Sequence, residues 1–393
     1  MAALTTMLKA LENRDPTELA ERLRAARMKA GLTQEAAADA LKMARTTLVA
    51  IEKAQRRIRA EELRHMAEVY DVSVNALLRS SSVAVDLVPR FRALAGGSAQ
   101  AADEAALLLN DLAAAEVELE RLLGAPLQPN YPPERRLGPG DVREQAEDAA
   151  LEMRQRLGLG LGAINDLVGV LESDVGARIF VRALPTSTIS GLFIYDEGIG
   201  ACILLNKKHP RERRTMTAAH EFGHLLSTRR QPDIVNAGQT AQSREERFAT
   251  IFAAALLMPA ASIRRRFEDL RRDAGRFSPR HLIVLAQQFN VSEEALCRRL
   301  QELGLLPDGT WDSLRDRGFS GDLVRQVLGD KPQEPEVTLP PRLWLLASEA
   351  YRQDLLTEGQ LARMLRLDRV QVRAIFDALG AQEFGGDESL QPA

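Results

Sequence analysis

Cysteine is almost missing from this chain, with two residues, Cys202 and Cys297, among 393. Two thiols cannot form the disulfide framework that staples small secreted domains, so stability must come from apolar burial. Cys202 lies in a short apolar run and reads as a small buried hydrophobe rather than a nucleophile. Long apolar runs are lacking as well. None approaches the roughly 18 residues needed to cross a bilayer, and Met1 to Leu11 has no apolar core of signal-peptide length. A soluble, cytoplasmic chain with no membrane partner is therefore expected. Charge of one sign is not in large excess either: the net charge is −3, which leaves room for a locally basic surface. Histidine numbers only 5, so the placement of two of them close together carries information.

Those two are His220 and His224, in the sequence His220-Glu221-Phe222-Gly223-His224. On a helix, a separation of four residues puts both imidazoles on one face, where they can share a metal ion. Neutral imidazoles suit a tetrahedral zinc that keeps one position open for water, and Glu221 is placed to take a proton from that water. The pattern points to peptide-bond hydrolysis. Met216, Ala219, Phe222, Leu225 and Leu226 recur at helical spacing, and Thr215, Thr217 or a preceding residue starts the helix. The apolar run Ala201 to Leu205 before it reads as a buried or edge strand.

A catalytic zinc usually takes three protein ligands. The stretch SREERFATIFAAALLMP, Ser243 to Pro259, reads as a second helix with Phe248, Phe252, Ala255 and Leu256 on its core face. Glu245 and Glu246 both lie in its first turn. Glu246 precedes Ala249, Thr250 and Ala253, whose small side chains allow close approach to the histidine helix, so Glu246 is the preferred third ligand and Glu245 the alternative.

The run RRTMTAAHEFGHLL, with the later Glu, aromatic and FAAALLMP, resembles the ImmA/IrrE family of zinc metallopeptidases. The resemblance implies a compact zincin core, zinc as cofactor (with manganese as a substitute in activity assays), His220, His224 and Glu246 as metal ligands, and Glu221 as general base. It also implies a protein substrate, a helix-turn-helix repressor of the kind such peptidases cleave to switch on stress or mobile-element genes.

A second pattern spans Glu18 to Leu78. Gly31 ends one helix, Thr33 caps the next with Gln34 at its start, Leu41 ends that element, and Arg45 to Ala54 follows with Leu48 and Ile51 buried. This is helix-turn-helix spacing. The segment GLTQEAAADALKMARTTLVAIEKAQRR resembles the XRE, or lambda-repressor-like, class of DNA-binding domains. By that resemblance Arg45, Thr46 and Ala50 face base edges of a double-stranded operator, Gln34, Thr47, Lys53 and Arg56 hold phosphates, and Arg27 and Glu52 form a structural ion pair. Ala36, Lys42 and Ala54 depart from the class, which prefers Leu, Gly and Gly there.

The expected fold class is multidomain and predominantly α, with one small α+β domain. It comprises an N-terminal helix-turn-helix bundle at 17–80, a helical spacer and Pro/Gly linker at 81–140, a zincin-like peptidase with a small sheet at 141–310, and a C-terminal helical module at 335–380. Joints are expected at Gly96-Gly97-Ser98 and Asp330 to Pro341, and a disordered tail from Gly380. Ala99 to Leu123 reads as a helix of about 25 residues, either an intramolecular spacer or the contact of a homodimer. Helices are expected over Val142 to Leu157 and Ala163 to Glu172, and strands over Arg178 to Ala183 and Ile189 to Tyr195. A hairpin turns at Asp196-Glu197-Gly198, and Ala201 to Leu205 is the candidate edge along which an extended substrate would lie. Arg342 to Leu379 reads as a final helical module, whose segment LTEGQLARMLRLDRVQVRAIFDAL loosely resembles a second helix-turn-helix. Two functions follow. One is a DNA-binding regulatory zinc metalloendopeptidase; the other is an XRE-type regulator whose peptidase-like domain senses a metabolite or nucleic acid without cutting.

Overall fold

The computed structural model describes residues 16–70, 99–236, 243–329 and 339–380, together with Val72 and Leu77. The expected joint at Gly96-Gly97-Ser98, positions 330–338 of the second joint, and the tail beyond Gly380 lie outside the described residues. Contacts divide the chain into two compact units, Met1–Ala84 and Val85–Ala393.

The first unit holds α1 (Pro16–Lys29), α2 (Gln34–Ala40), α3 (Arg45–Glu52) and α4 (Ala60–Val69). Leu23, Leu48, Leu63 and Met66 are its fully buried centre. Thr33 caps α2 by accepting the Ala36 N–H at 3.1 Å. The Arg27 guanidinium meets the Glu52 carboxylate through two hydrogen bonds, 2.6 and 3.1 Å, and ties α1 to α3 as the resemblance implied. Lys42 and Ala54, where the class prefers glycine, have φ of 52° and 56°. A side chain in this left-handed region costs about 1–2 kcal/mol, part of which glycine gives back through the freer unfolded chain. Lys42→Gly is thus expected to stabilise the first unit by about 0.5–1 kcal/mol, read as a rise in its denaturant midpoint; a fall would show that the Lys42 stem is needed.

The second unit is built around a four-stranded sheet of β1 (Arg178–Arg182), β2 (Ile189–Asp196), β3 (Gly200–Asn206) and β4 (Asp233–Asn236), in the order β1-β3-β2-β4. β1 runs parallel to β3, and β2 is antiparallel to both β3 and β4. Alternation along the strands sends residues to two cores. Ile179, Phe193, Ala201, Ile203 and Leu205 face one core with α6 (Val142–Arg156), α8 (Arg211–Ser227) and α9 (Arg244–Leu257). Phe180, Leu192, Ile194, Cys202 and Leu204 face the other, covered by α5 (Ala99–Leu123) and later C-terminal helices. Between β1 and α6 the chain forms a short helix α7 (Leu167–Val170) that runs into a π-helical turn, Leu171–Val175, so the helix expected from Ala163 starts four residues late.

The strand order corrects one expectation. β3 is an interior strand with a neighbour on each side, not the substrate edge; an unbroken apolar run marks a strand buried on both faces. The short β4, unforeseen from sequence, is an edge. The Pro/Gly-rich stretch 124–140 also differs from a free linker. It is fastened to the second unit: the Tyr131 hydroxyl accepts the Ala201 N–H at 2.8 Å and donates to the Gly176 carbonyl at 3.1 Å, and Arg135 N–H donates to the Leu226 carbonyl at 2.6 Å.

α5 is a structural layer rather than a bare spacer. Its Glu116 and Glu120 reach Arg178 of β1 at 2.8 and 2.7 Å inside the core. Arg342 adds a second guanidinium at 3.1 Å from Glu120, while its backbone N–H donates to Glu172 at 3.2 Å. Burial pushes the Glu116 and Glu172 carboxyls up to about 7 against the pull of these guanidiniums. Past α9 the chain continues as α10 (Ala260–Ala274), α11 (Pro279–Gln288), α12 (Glu293–Glu302), α13 (Thr310–Asp316) and α14 (Gly321–Leu328). The C-terminal module is α15 (Pro341–Arg352), α16 (Glu358–Met364) and α17 (Arg369–Gly380).

Candidate metal centre

The turn from β3 into α8 is set by Asn206, which is fully buried. Its amide donates to the Thr186 and Ile189 carbonyls at 2.8 and 2.7 Å, and its carbonyl accepts the Leu184 and Lys208 N–H groups at 3.2 and 3.0 Å. One side chain thus satisfies four backbone groups and fixes where α8 begins. α8 then carries His220, half-buried, and His224, buried, one turn apart on the side that meets α9, with Phe222, Leu225 and Leu226 in the core.

α9 lies close against α8 because both contact positions are small. A Cβ on Gly223 would fall 2.8 Å from the Ala249 Cα and 3.3 Å from a Phe252 ring carbon. This close approach brings Glu246, in the first turn of α9, to the histidines: 3.4 Å from His220 Nε2 and 3.2 Å from His224 Nε2. The two Nε2 atoms are 3.1 Å apart. His220, His224 and Glu246 form a group of potential metal ligands, to which Glu245 does not belong. The neighbouring imidazoles, His220 first and then His224, hold the Glu246 carboxyl well below the usual carboxylate range.

These residues fit a small divalent cation. A tetrahedral ion with ligand bonds of about 2.0–2.1 Å keeps its ligand atoms about 3.3 Å apart, close to the spacing seen. Three such acceptors gathered at one point, two nitrogens and a carboxylate, also match the donor set of zinc rather than magnesium or calcium. The rings are oriented from behind. His224 Nδ1 and the Thr228 hydroxyl are 2.9 Å apart, and His220 Nδ1 and the Thr250 hydroxyl 3.5 Å. Thr228→Val removes the first contact and is expected to weaken zinc binding about tenfold, measured by competition with a chromogenic chelator; unchanged affinity would deny Thr228 that role.

Glu221 is 0 % exposed, on the sheet side of α8. Gly191 of β2 makes the room: a Cβ there would come within 2.7 Å of Thr217 Cγ2 and 3.5 Å of Glu221 Oε1. At this point the pairing of β2 with β4 slips between Ile189 and Gly191. The roles of Gly191, Gly223 and Thr228 escape the sequence reading, and Thr250 reads there only as a small side chain, not as a partner of His220. Gly223 alone left a signal, as a glycine inside a strong helical pattern, which marks close packing.

In the first unit, Arg45 and Thr46 are exposed at the start of α3, Lys53 is exposed at its end, and Thr47 and Ala50 are half-buried on the same helix. Two of the expected phosphate contacts have internal partners. The Gln34 amide donates to Glu52 at 2.9 Å, and Arg56 is bidentate to Glu62 at 2.9 and 3.1 Å.

Comparison with known proteins agrees with this architecture. Residues 172–301 match the peptidase family described as the IrrE N-terminal-like domain, and residues 18–79 match the family described as Helix-turn-helix domain. The chain thus carries a helix-turn-helix domain and a peptidase-like domain similar to the IrrE type, a pairing that supports a DNA-binding regulator. No curated protein matches it. Among the described residues, no single helix is long and apolar enough to cross a membrane.

Proposed function

We propose that this chain is a DNA-binding zinc metalloendopeptidase that acts in the cytoplasm, with a reader at 17–80 and a catalytic domain at 141–310. The convergence of His220, His224 and Glu246 within hydrogen-bonding distance of one another is the observation that carries the reading. A zinc ion held by these three side chains would supply a Lewis acid for the scissile carbonyl and lower the pKa of a water. The protein's own part is to position groups and move a proton. Glu221 accepts the proton of the water that adds to the carbonyl carbon, then delivers it to the amide nitrogen as the C–N bond breaks. Thr228 and Thr250 hold the imidazoles in place from behind.

The edge strand β4, which has no further strand paired to it among the described residues and follows α8 in the chain, takes over the substrate role first expected of β3. Main-chain pairing along such an edge binds an extended peptide without requiring a long sequence motif. A helix-turn-helix repressor or antitoxin controlling stress, phage or mobile-element genes is the substrate class. Tethering the catalytic domain to a DNA reader raises its concentration near a repressor at the same promoter. The test is incubation of the zinc-loaded chain with repressors encoded beside its gene. Discrete cleavage supports the reading, and intact repressors after prolonged incubation with stoichiometric zinc bound would overturn it.

A cavity of about 500 Å³, lined by Arg121, Tyr131, Arg178, Tyr195 and Glu197, favours a second reading, a sensor. Under it, a small polar metabolite binds there and alters operator affinity with no cleavage. Identical operator binding before and after substitution of Tyr195 by Ala, across a metabolite panel, would remove it.

A further inference from the structure

The C-terminal module repeats the DNA reader. Leu32–Ile51 reads LTQEAAADALKMARTTLVAI and Leu356–Ile375 reads LTEGQLARMLRLDRVQVRAI, with seven of twenty positions identical, each 324 residues apart as Thr33 is from Thr357. The backbone repeats at the same offset. α2 covers Gln34–Ala40 and α16 covers Glu358–Met364; α3 starts at Arg45 and α17 at Arg369. Thr33 and Thr357 each cap their helix by accepting the N–H three residues on. Between the helices, Lys42 and Arg366 take φ of 52° and 53°. The turn bonds correspond as well: Met43 N–H to the Ala38 carbonyl at 3.0 Å, and Leu367 N–H to the Ala362 carbonyl at 2.9 Å. Buried Ala38, Leu41 and Leu48 correspond to buried Ala362, Leu365 and Val372.

The preceding helix completes the unit. α1 and α15 both begin with proline, and each is followed by a left-handed residue two positions past its end, Gly31 at φ 72° and Asp354 at φ 55°. Where Arg27 and Glu52 tie the first and third helices of the reader, the module ties its own with a stacked ring pair. Tyr351 and Phe376 lie 4.8 Å apart with planes 17° from parallel. The same three-helix frame is thus maintained by different chemistry, as expected if the frame itself serves a purpose.

We propose that residues 341–380 form a second reader of double-stranded DNA, with the N-terminal half of α17 entering the major groove. In this geometry the first turn of the recognition helix meets base edges. Arg369 occupies the place of Arg45, is exposed, and has no acidic partner among the described residues; a guanidinium there can bond the guanine O6 and N7 edge. Val370 takes the place of Thr46 and is 74 % exposed. An apolar side chain so exposed at the first turn suits contact with a thymine methyl group. Arg363 and Arg373, also exposed, flank this surface and can approach phosphates; Arg373 leans on Glu358 at 3.0 Å and is 67 % exposed. The proposal depends on neither the metal site nor proteolysis.

The full chain is titrated by fluorescence anisotropy with a labelled mixed-sequence duplex of about 30 base pairs over a range of salt. Four forms are compared: unaltered, R45A/K53A, R369A/V370D, and all four substitutions together, each checked for an unchanged thermal transition. We expect R45A/K53A to keep salt-dependent binding that the added R369A/V370D lowers by at least about tenfold, with a salt slope smaller by about 1. R369A, milder than V370D, should show the same slope change alone. Coincident isotherms with and without R369A/V370D in both backgrounds would overturn the proposal. So would a change confined to molar mass in light scattering, which would assign this face to a second copy of the chain.

Discussion

Glu221→Gln is expected to reduce repressor cleavage by about 10²–10⁴-fold while leaving zinc content and operator binding unchanged. The reasoning starts from position. Glu221 follows His220 directly, so it leaves α8 on the sheet side while the histidines face α9, and Gly191 keeps that space open for the carboxylate. Glutamine has nearly the same shape and can fill the space, but its amide cannot accept and return a proton at neutral pH. Proton transfer should therefore fail with the fold intact. The effect must appear in the turnover rate more than in KM, because the interaction lost belongs to the transition state. Cleavage by Glu221→Gln at the unaltered rate would exclude Glu221 as the general base, and loss of zinc alongside activity would make it a structural residue instead.

Gly223→Val is expected to be as damaging by a different route. The missing Cβ would sit 2.8 Å from the Ala249 Cα and 3.1 Å from its Cβ, and backbone at that distance cannot swing aside as a side chain can. A better helix propensity at a former glycine offers about 0.5 kcal/mol, against about 1–3 kcal/mol or more for forcing atoms into a filled core. Overpacking wins, and α8 and α9 separate. Glu246 lies three residues before Ala249, so the same movement pulls it away from His220 and His224. The second unit should lose at least about 3 kcal/mol of stability, and zinc affinity should fall by about 100-fold or more, since a ligand displaced by even an ångström no longer closes the site. The milder Gly223→Ala should shift both quantities in the same direction by less. A stable Gly223→Val chain with normal zinc affinity would show that close helix approach does not build the site.

How much of this could be read from residues alone depended on whether the signal was local. The His220/His224 pair is set by helical periodicity, and the preference for Glu246 over Glu245 followed from the small residues one turn on, since both statements concern a single helix. Thr33, Gly31 and the buried Leu48 and Ile51 likewise lie within a few residues of the features they control. What was misplaced depended on partners distant in sequence. Ala201 to Leu205 looks equally apolar at an edge or in the middle of a sheet, and only its pairing with β1 on one side and β2 on the other decides it. α5 itself reads as an ordinary Ala-, Leu- and Glu-rich helix. Its Glu116 and Glu120 resemble solvent-facing charges until Arg178, 62 and 58 residues away, is found between them. The proline-rich stretch 124–140 has the composition of a linker, and composition is silent about Tyr131 bonding to β3.

The most direct measurement is zinc stoichiometry of the full chain, by elemental mass spectrometry after zinc loading and removal of loosely bound metal. We expect about one zinc per unaltered chain and per Glu221→Gln chain, and far less in Glu246→Ala, because two imidazoles on one helix leave a catalytic site one protein ligand short. An unaltered chain that retains no zinc, or a Glu246→Ala chain that retains all of it, would contradict the site built from His220, His224 and Glu246.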